Sequence, residues 1–184
     1  MAATPSTMLP LGTSAPLFTL PDTVSGDMID LADVKSDKAN VVMFICNHCP
    51  YVKHVNSQLV QLANDYQPKD VTILAISSND IASHPGDAPD KMKEVAKTVG
   101  YPFPYLFDET QEVARTYQAA CTPDFYLFDG DLKLVYRGQF DDSRPGNNVP
   151  VTGQDLRAAL DAVLSGDQPD PNQTPSMGCN IKWK

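Results

Sequence analysis

Two stretches of the chain are apolar almost without interruption and indicate the centre of a sheet. Residues 40–45 contain the run VVMFI, and residues 71–76 read VTILAI. A strand buried on both faces shows a continuous apolar run, whereas a strand with one solvated face alternates between apolar and polar residues. Both segments are therefore predicted to be fully buried strands.

Apolar residues spaced three and four apart predict helices after these strands. The stripe that follows the first run is Val52, Val55, Leu59, Leu62 and Tyr66. A second helix over residues 92–99 is predicted to end at Gly100, because glycine readily adopts the left-handed conformation that ends many helices. The last helix, over residues 156–164, is predicted to open with a capping box of Thr152 and Asp155.

An Asp-Gly turn gives the strongest hairpin signal in the chain. Asp129 and Gly130 separate the strand patterns of residues 125–128 and 132–136. Because strands and helices alternate over the rest of the chain, the pattern predicts an α/β fold with a mixed central sheet. The hairpin would add antiparallel strands to that sheet. Residues 18–20 and 28–31 are predicted to form a short N-terminal β-hairpin around the turn at residues 25–27.

Length and charge narrow the domain organisation and the possible partners. We expect one domain over residues 1–184, with an extended segment at 1–16 and a tail at 167–184. The net charge of −9 argues against nucleic acid as a partner. The longest apolar run is too short to span a membrane, and the first residues lack the pattern of a secretory signal. We therefore expect a cytoplasmic protein.

The candidate chemistry lies where the first buried strand gives way to a helix. Cys46 and Cys49 flank Asn47 and His48 there. A helix N-terminus offers free N–H groups and a positive dipole end, which lower the pKa of a cysteine to about 3.5–7.5. We expect Cys46 to be an exposed nucleophile and Cys49 a more buried resolving cysteine. The alternative is a pair of structural core cysteines.

Five motifs in order along the chain resemble one superfamily. They are GTSAPLF at residues 12–18, CNHCPYVKH at 46–54, SND at 78–80, CTPDF at 121–125 and GCNIKW at 178–183. On these motifs the chain is identified as a member of the thioredoxin superfamily, in the redoxin branch related to alkyl hydroperoxide reductase and thiol-specific antioxidant. It is most similar to the peroxiredoxin-like group that carries a C-x-x-C pair.

The resemblance implies a thioredoxin fold in which Cys46-Asn47-His48-Cys49 opens the first major helix, and it assigns roles to several residues. Thr122-Pro123 would be a cis peptide that faces the two sulfurs and presents the Thr122 backbone to an extended substrate; a tight turn is the alternative interpretation. His48 precedes the second cysteine, as in protein disulfide isomerase. In that family this histidine stabilises the reduced thiolate and makes the disulfide more oxidising.

The resemblance leaves two redox activities open. Cys49 followed by Pro50 fits the peroxide-attacking cysteine of peroxiredoxins, but Cys46 occupies the place of their threonine. Their activating arginine is missing, and Pro123 falls about where it should be. We therefore expect a thiol–disulfide oxidoreductase, with thiol peroxidase as the alternative. No organic cofactor is needed, and electrons would come from a dithiol protein or a small thiol.

The remaining candidates are less determined by the sequence. Cys121 and Cys179 are possible additional redox cysteines, and Cys121 is more readily interpreted as a small buried residue. A redox-sensing or metal-binding module without catalysis is the third hypothesis, although the cysteine spacing does not match a zinc site. For proton transfer, Asp124 beside Pro123 is preferred to Lys53. His54 and His84 are expected to be surface residues.

Overall fold

Strands and helices alternate along most of the chain. The computed structural model describes residues 3–184. The strands are β1 (Thr4–Pro5), β2 (Thr19–Pro21), β3 (Met28–Asp30), β4 (Ala39–Phe44), β5 (Val71–Ser77), β6 (Tyr105–Phe107), β7 (Cys121–Thr122), β8 (Asp124–Asp129), β9 (Leu134–Gly138) and β10 (Met177–Asn180). The helices are α1 (Leu31–Val34), α2 (Pro50–Tyr66), α3 (Pro89–Val99), α4 (Glu112–Thr116) and α5 (Gln154–Leu164).

The two apolar runs form neighbouring strands inside a five-stranded sheet of order β6-β5-β4-β8-β9. β4 is parallel to β5 and antiparallel to β8. β8 and β9 form the predicted hairpin. Every residue of β4 is buried, as its unbroken apolar pattern predicted. The α/β fold with a mixed sheet is confirmed.

Alternating residues of the sheet build two separate cores. Val41 and Met43 pack with α2 and α5 on one face, in the core that also contains Cys46, Cys49 and Cys179. We call this core the sulfur-side core. On the opposite face, Val42, Phe44 and other apolar residues pack around Tyr117 and Tyr126. This second group is the tyrosine-side core.

Helix α2 begins later than the resemblance implied. Pro50 is its first residue and Cys49 is the N-cap, with an extended backbone at φ −66° and ψ 123°. The residue before a proline is pushed out of the helical region by the proline ring, whereas proline itself suits the first helical position. The expectation that Cys46-Asn47-His48-Cys49 opens the helix is wrong, since Cys46 lies in the preceding loop.

The predicted capping box of α5 is also wrong. The N-cap is Gly153, in the left-handed conformation at φ 68°. The N–H groups of Asp155 and Leu156 donate to the Phe140 carbonyl oxygen at 3.2 and 3.4 Å, and Thr152 Oγ1 accepts from the Gln154 N–H and not from Asp155. An oxygen of Asp141 holds the turn before the helix, since it accepts hydrogen bonds from the N–H groups of Thr152 and Gly153, at 2.7 and 2.6 Å. Asp155 accepts from the Gln139 amide, so its side chain is bound elsewhere.

The tail returns to the body of the protein and forms a second sheet. β10 lies between β1 and β7 in a three-stranded antiparallel arrangement. Gly178 permits this close approach, because a Cβ atom there would collide with the Thr122 carbonyl group. Ile181 then packs in the tyrosine-side core. Among the described residues, no helix has the length and apolar character needed to cross a bilayer.

Candidate active site

Three of the four cysteines meet beside the loop that contains Pro123. The Thr122–Pro123 peptide bond is cis, as the resemblance implied. Cys46 Sγ lies 3.4 Å from Thr122 Oγ1, and Cys49 Sγ lies 3.2 Å from the Thr122 carbonyl oxygen. Cys49 Sγ is also 2.8 Å from Cys179 Sγ. All of these sulfurs are free thiols in this structure.

The predicted contrast in exposure between the two cysteines is wrong. Cys46 is 2% exposed and Cys49 is fully buried. Thr122, which contacts both sulfurs, is itself buried. Burial follows from the sheet of β7 and β10, which covers the loop. In its register Cys179 stands opposite Thr122, so the Thr122 backbone is not open to an extended substrate in this state.

Cys49, and not Cys46, is the sulfur that the site stabilises as a thiolate. Its pKa is lowered to about 5, chiefly by the neighbouring Cys46 thiol and also by the Cys179 thiol 2.8 Å away, although burial opposes this effect. Cys46 has a raised pKa, because it lies beside the Cys49 sulfur, is buried and is near the Asp87 charge. The Thr122 carbonyl opposes the effect on Cys49, since it accepts from a thiol but repels a thiolate.

A buried carboxylate anchors the loop between the two cysteines. Asp87 is fully buried and accepts from the Asn47 N–H at 2.8 Å, the Asn79 amide at 2.9 Å and His48 Nδ1 at 2.6 Å. Each of these bonds fixes part of the active-site loop, and together they compensate the burial of the charge. No sequence pattern indicates this role, because Asp87 lies in a polar loop without a motif.

His48 connects the carboxylate to the first sulfur. Its Nδ1 atom lies 3.9 Å from Cys46 Sγ as well as 2.6 Å from Asp87. Its ring stacks on that of His84, with centroids 5.1 Å apart, so His84, expected only to be a surface residue, is half-buried against the active-site histidine. Nε2 of His48 is buried and has no hydrogen-bond partner within residues 3–184.

Cys46, His48 and Asp87 also form the group that could hold a metal ion. Their ligand atoms lie within 4.8 Å of one another. However, Nδ1 of His48 and the Asp87 oxygen are at hydrogen-bond distance. Two atoms bound to one tetrahedral zinc would be about 3.3 Å apart, given bond lengths of about 2.0 Å. The arrangement therefore fits a histidine–carboxylate hydrogen bond better than a zinc site.

Asp124 does not serve the cysteine pair, contrary to the prediction. Its carboxylate binds Arg137 at 3.1 Å, and both side chains are fully buried. The Arg137 guanidinium lies over the Tyr126 ring, 4.5 Å from its centroid. Tyr126 belongs to the tyrosine-side core, so this ion pair is on the face opposite the sulfurs. Lys53 is on the exposed face of α2, as expected.

Cys121 and His54 also lie apart from the sulfur group. The Cys121 thiol contacts the Pro123 carbonyl oxygen at 3.6 Å, and burial raises its pKa. Since Thr122 contacts the catalytic candidates and strand residues alternate in direction, its neighbour Cys121 points the other way. His54 hydrogen-bonds Ser143 at 2.7 Å. Cys121 thus behaves as the small buried residue that the sequence favoured.

Comparison with known proteins relates the chain to redoxins. The model of the AhpC/TSA family matches residues 11–137. A conserved protein of Geobacillus kaustophilus, described as uncharacterized, is 62% identical with a TM-score of 0.98, over 100% of this chain and 97% of that one. A hypothetical protein of Sinorhizobium meliloti is 48% identical with a TM-score of 0.96, over 98% of both chains.

A more distant structure shares the fold. It is the thioredoxin domain of a thiol-disulfide oxidoreductase from Bacteroides vulgatus, which is 22% identical with a TM-score of 0.60. The alignment covers 71% of this chain and 89% of that domain. The comparison with curated proteins gave no match. At this identity the structural likeness speaks for the thioredoxin fold alone.

Proposed function

Because the chain belongs to the AhpC/TSA family, we propose that it is a thiol–disulfide oxidoreductase that acts through Cys46 and Cys49. Its substrate is a disulfide in a protein or a small molecule. The observation that carries this proposal is the pair of sulfurs that both contact Thr122 at the cis Thr122–Pro123 peptide, where one sulfur is stabilised as a thiolate. A thiolate is the attacking species in disulfide exchange.

The reaction begins with the proton that the two sulfurs share. Attack by Cys46 requires this proton to move from Cys46 to the Cys49 thiolate. Cys46 then attacks one sulfur of the substrate disulfide, and the other sulfur leaves as a thiolate. Cys46 is assigned the attack because it borders the partly exposed His48.

The second step releases the substrate. Cys49 loses its proton and attacks Cys46 Sγ in the mixed disulfide, and the remaining substrate thiolate leaves. The site is then a Cys46–Cys49 disulfide. Two electrons have passed to the substrate with the one proton that the thiol–thiolate pair held, and the second substrate thiolate takes its proton from solvent. A dithiol protein or a small thiol in a reducing compartment such as the cytoplasm would return the site to its reduced form.

The exchange assay with matched cysteine variants tests this function. The reduced wild type should reduce a model protein disulfide, and Cys46→Ser and Cys49→Ser should each lose nearly all of this activity. Cys121→Ser is the control, because Cys121 is equally buried but points away from the site, and it should retain activity. If the wild type reduces no disulfide, or if Cys49→Ser is as active as wild type, the proposal fails.

His48 is proposed as a positioning residue for the Cys46 sulfur. Its bond to buried Asp87 fixes the ring beside Cys46. Loss of a group that stabilises the reduced site should make the disulfide less oxidising, and a change of about 1.4 kcal/mol corresponds to about 30 mV. His48→Ala should therefore lower the reduction potential of the Cys46–Cys49 couple by a few tens of millivolts, measured against glutathione. Equal potentials would exclude this role.

Thiol peroxidase activity with Cys49 is the second candidate. It is favoured by the lowered pKa of Cys49 at the start of a helix, directly before Pro50. It is opposed by the position of Arg137, which is bound to Asp124 on the far face and cannot polarise a peroxide at Cys49. Consumption of hydrogen peroxide by wild type, with Cys49→Ser as control, separates the two activities.

A further inference from the structure

The strand β10 brings a third sulfur into the candidate active site. Cys179 Sγ lies 2.8 Å from Cys49 Sγ, although 130 positions separate the two residues in the sequence. Both residues are buried. A disulfide has a sulfur–sulfur distance of about 2.05 Å, so a movement of about 0.8 Å would bring these atoms to bonding distance. Rotation of one side chain can supply a movement of that size.

Cys179 is held in position by the pairing of β10 with β7. Cys179 stands opposite Thr122 in the β7–β10 register, and Gly178 allows the backbones to approach at this point. The Ser176 hydroxyl donates a 2.6 Å hydrogen bond to the Pro123 carbonyl. The same loop therefore holds both Cys49 and Cys179, which makes their contact a built feature of the site.

We propose that Cys179 is a third redox-active cysteine, which exchanges with the Cys46–Cys49 disulfide to give a Cys49–Cys179 disulfide. The inference rests on the proposed function, in which the Cys46–Cys49 disulfide forms. Cys179 loses its proton and attacks Cys49 Sγ, the bond between Cys46 and Cys49 breaks, and Cys46 leaves as a thiolate that takes up a proton. Each side of this step contains one disulfide and one thiol, so no external oxidant is needed.

The electrostatics of the site favour this exchange only after oxidation. In the reduced protein the pKa of Cys179 is raised to about 12, by burial and then by its bond to Cys49 and the Cys49 charge. Once Cys49 is in a disulfide it carries no charge, and two of these three causes disappear. Lys182 remains close enough to favour the Cys179 thiolate. Cys179 thus becomes easier to ionise when there is a disulfide to attack.

The exchange has a consequence for Cys46. It returns Cys46, which lies beside the partly exposed His48, to the thiol form, while the disulfide passes to Cys49 and Cys179. Cys49 takes part in both disulfides.

Tryptic mapping can distinguish the two disulfides. Trypsin places Cys46 and Cys49 in residues 39–53, Cys121 in 116–133 and Cys179 in 158–182. A Cys46–Cys49 disulfide closes a loop within one peptide, whereas a bond to Cys179 joins two peptides. The native protein would be oxidised with diamide, its remaining thiols blocked in denaturant, and the digest analysed by mass spectrometry.

The variants give opposite expectations. In Cys46→Ser, a Cys49–Cys179 disulfide should join peptides 39–53 and 158–182 in most molecules. In Cys49→Ser, the amount of these joined peptides should be lower by at least about nine-tenths. Cys121→Ser should behave as wild type. In Cys179→Ser the loop within 39–53 should still close, and circular dichroism of each variant checks its fold.

Failure of the exchange with Cys179 and failure of the proposed function give different results in this experiment. If Cys179→Ser closes the loop within 39–53 but folded Cys46→Ser joins no peptides, Cys179 has no redox role and the proposed function stands. If no variant that keeps Cys46 and Cys49 closes that loop, the proposed function fails, and the exchange with Cys179 fails with it.

Discussion

Cys46 and Cys49 differ chiefly in their position relative to one proline. Pro50 makes Cys49 the N-cap of α2, so its sulfur lies at the N-terminus of the helix, while Cys46 remains in the loop beside Asp87. Free N–H groups at a helix N-terminus favour an anion, and a nearby carboxylate disfavours one. The pKa of Cys49 is therefore lowered and that of Cys46 raised, so Cys46 holds its proton while Cys49 is a thiolate.

This separation predicts how the stability of the reduced protein depends on pH. The pKa of Cys49 falls from its ordinary value of 9.0 to about 5 on folding, so between these pH values the unfolded chain binds more protons. The free energy of unfolding should therefore rise with pH in this window, by at most about 1.4 kcal/mol per pH unit. The contribution is complete above pH 9.0 and is lost as the pH falls through about 5.

Urea denaturation of reduced wild type and of Cys49→Ser at several pH values measures the effect. The difference between them should grow from about pH 5 to about pH 9. Above about pH 9, the free energy of unfolding should fall again. The raised pKa values of Cys46 and Cys179 keep these thiols protonated in the folded state, whereas the unfolded chain loses their protons. The oxidised wild type is a second control, since a disulfide does not titrate. Parallel pH profiles for all three would contradict the assignment of the thiolate.

At the scale of elements, the contact between β7 and β10 is the arrangement on which the site depends. Gly178 lies against the Thr122 carbonyl with no room for a side chain. Gly178→Ala should therefore push β10 away from β7, at a cost of about 1–3 kcal/mol in the free energy of unfolding. The displacement should also lower the yield of the Cys49–Cys179 disulfide, which the peptide mapping measures.

Gly86→Ala is the matched control for this variant. A Cβ at Gly86 would meet no atom within 4 Å, and the residue does not have a positive φ. It should therefore unfold at nearly the same urea concentration as wild type. If Gly178→Ala is as stable as Gly86→Ala and gives the wild-type yield of the disulfide, β10 is not positioned by this contact.

The elements show which parts of the structure the sequence could predict. Continuous apolar runs identified β4 and β5, and the Asp-Gly pair identified the β8–β9 hairpin, since these signals are local. The start of α2 is also predictable from the sequence, because Pro50 excludes Cys49 from the helix. The cap of α5 is not, since the acceptor of its first N–H groups is the carbonyl oxygen of Phe140, more than ten residues before the helix.

Only the residues of the site that are close together in the sequence could be predicted. Cys46, His48 and Cys49 are neighbours in sequence, so a motif identified them. Asp87 and Cys179 arrive from distant segments, and their roles depend on how α2, the loop after β5 and β10 meet in space. A single sequence contains no local pattern for such contacts.

At the scale of the molecule, the sheet separates two kinds of buried polar chemistry. The sulfurs lie in the sulfur-side core, whereas the Asp124–Arg137 ion pair is fully buried beside the tyrosine-side core. Removing one partner of a buried ion pair leaves an uncompensated charge. The sheet between them should allow the ion pair to be removed without changing the thiol chemistry.

Arg137→Met tests this separation. It leaves Asp124 buried without a counter-charge and should lower the free energy of unfolding by about 3–5 kcal/mol. The double variant Asp124→Asn/Arg137→Met should recover part of that loss, because no charge remains. For the folded fraction of both, the reduction potential of Cys46–Cys49 should equal that of wild type. A large change in the potential would show that Arg137 acts on the sulfurs through the sheet.

The position of β10 between β1 and β7 has a practical consequence for work on this protein. β1 and β10 lie near the two ends of the described chain, and both belong to the small sheet that covers the sulfurs. A group attached at either end can therefore disturb this sheet. An affinity tag that competes with β1, or a protease that trims the last residues, would loosen the cover over Cys49. Differences in thiol reactivity between preparations should then follow how their termini were made.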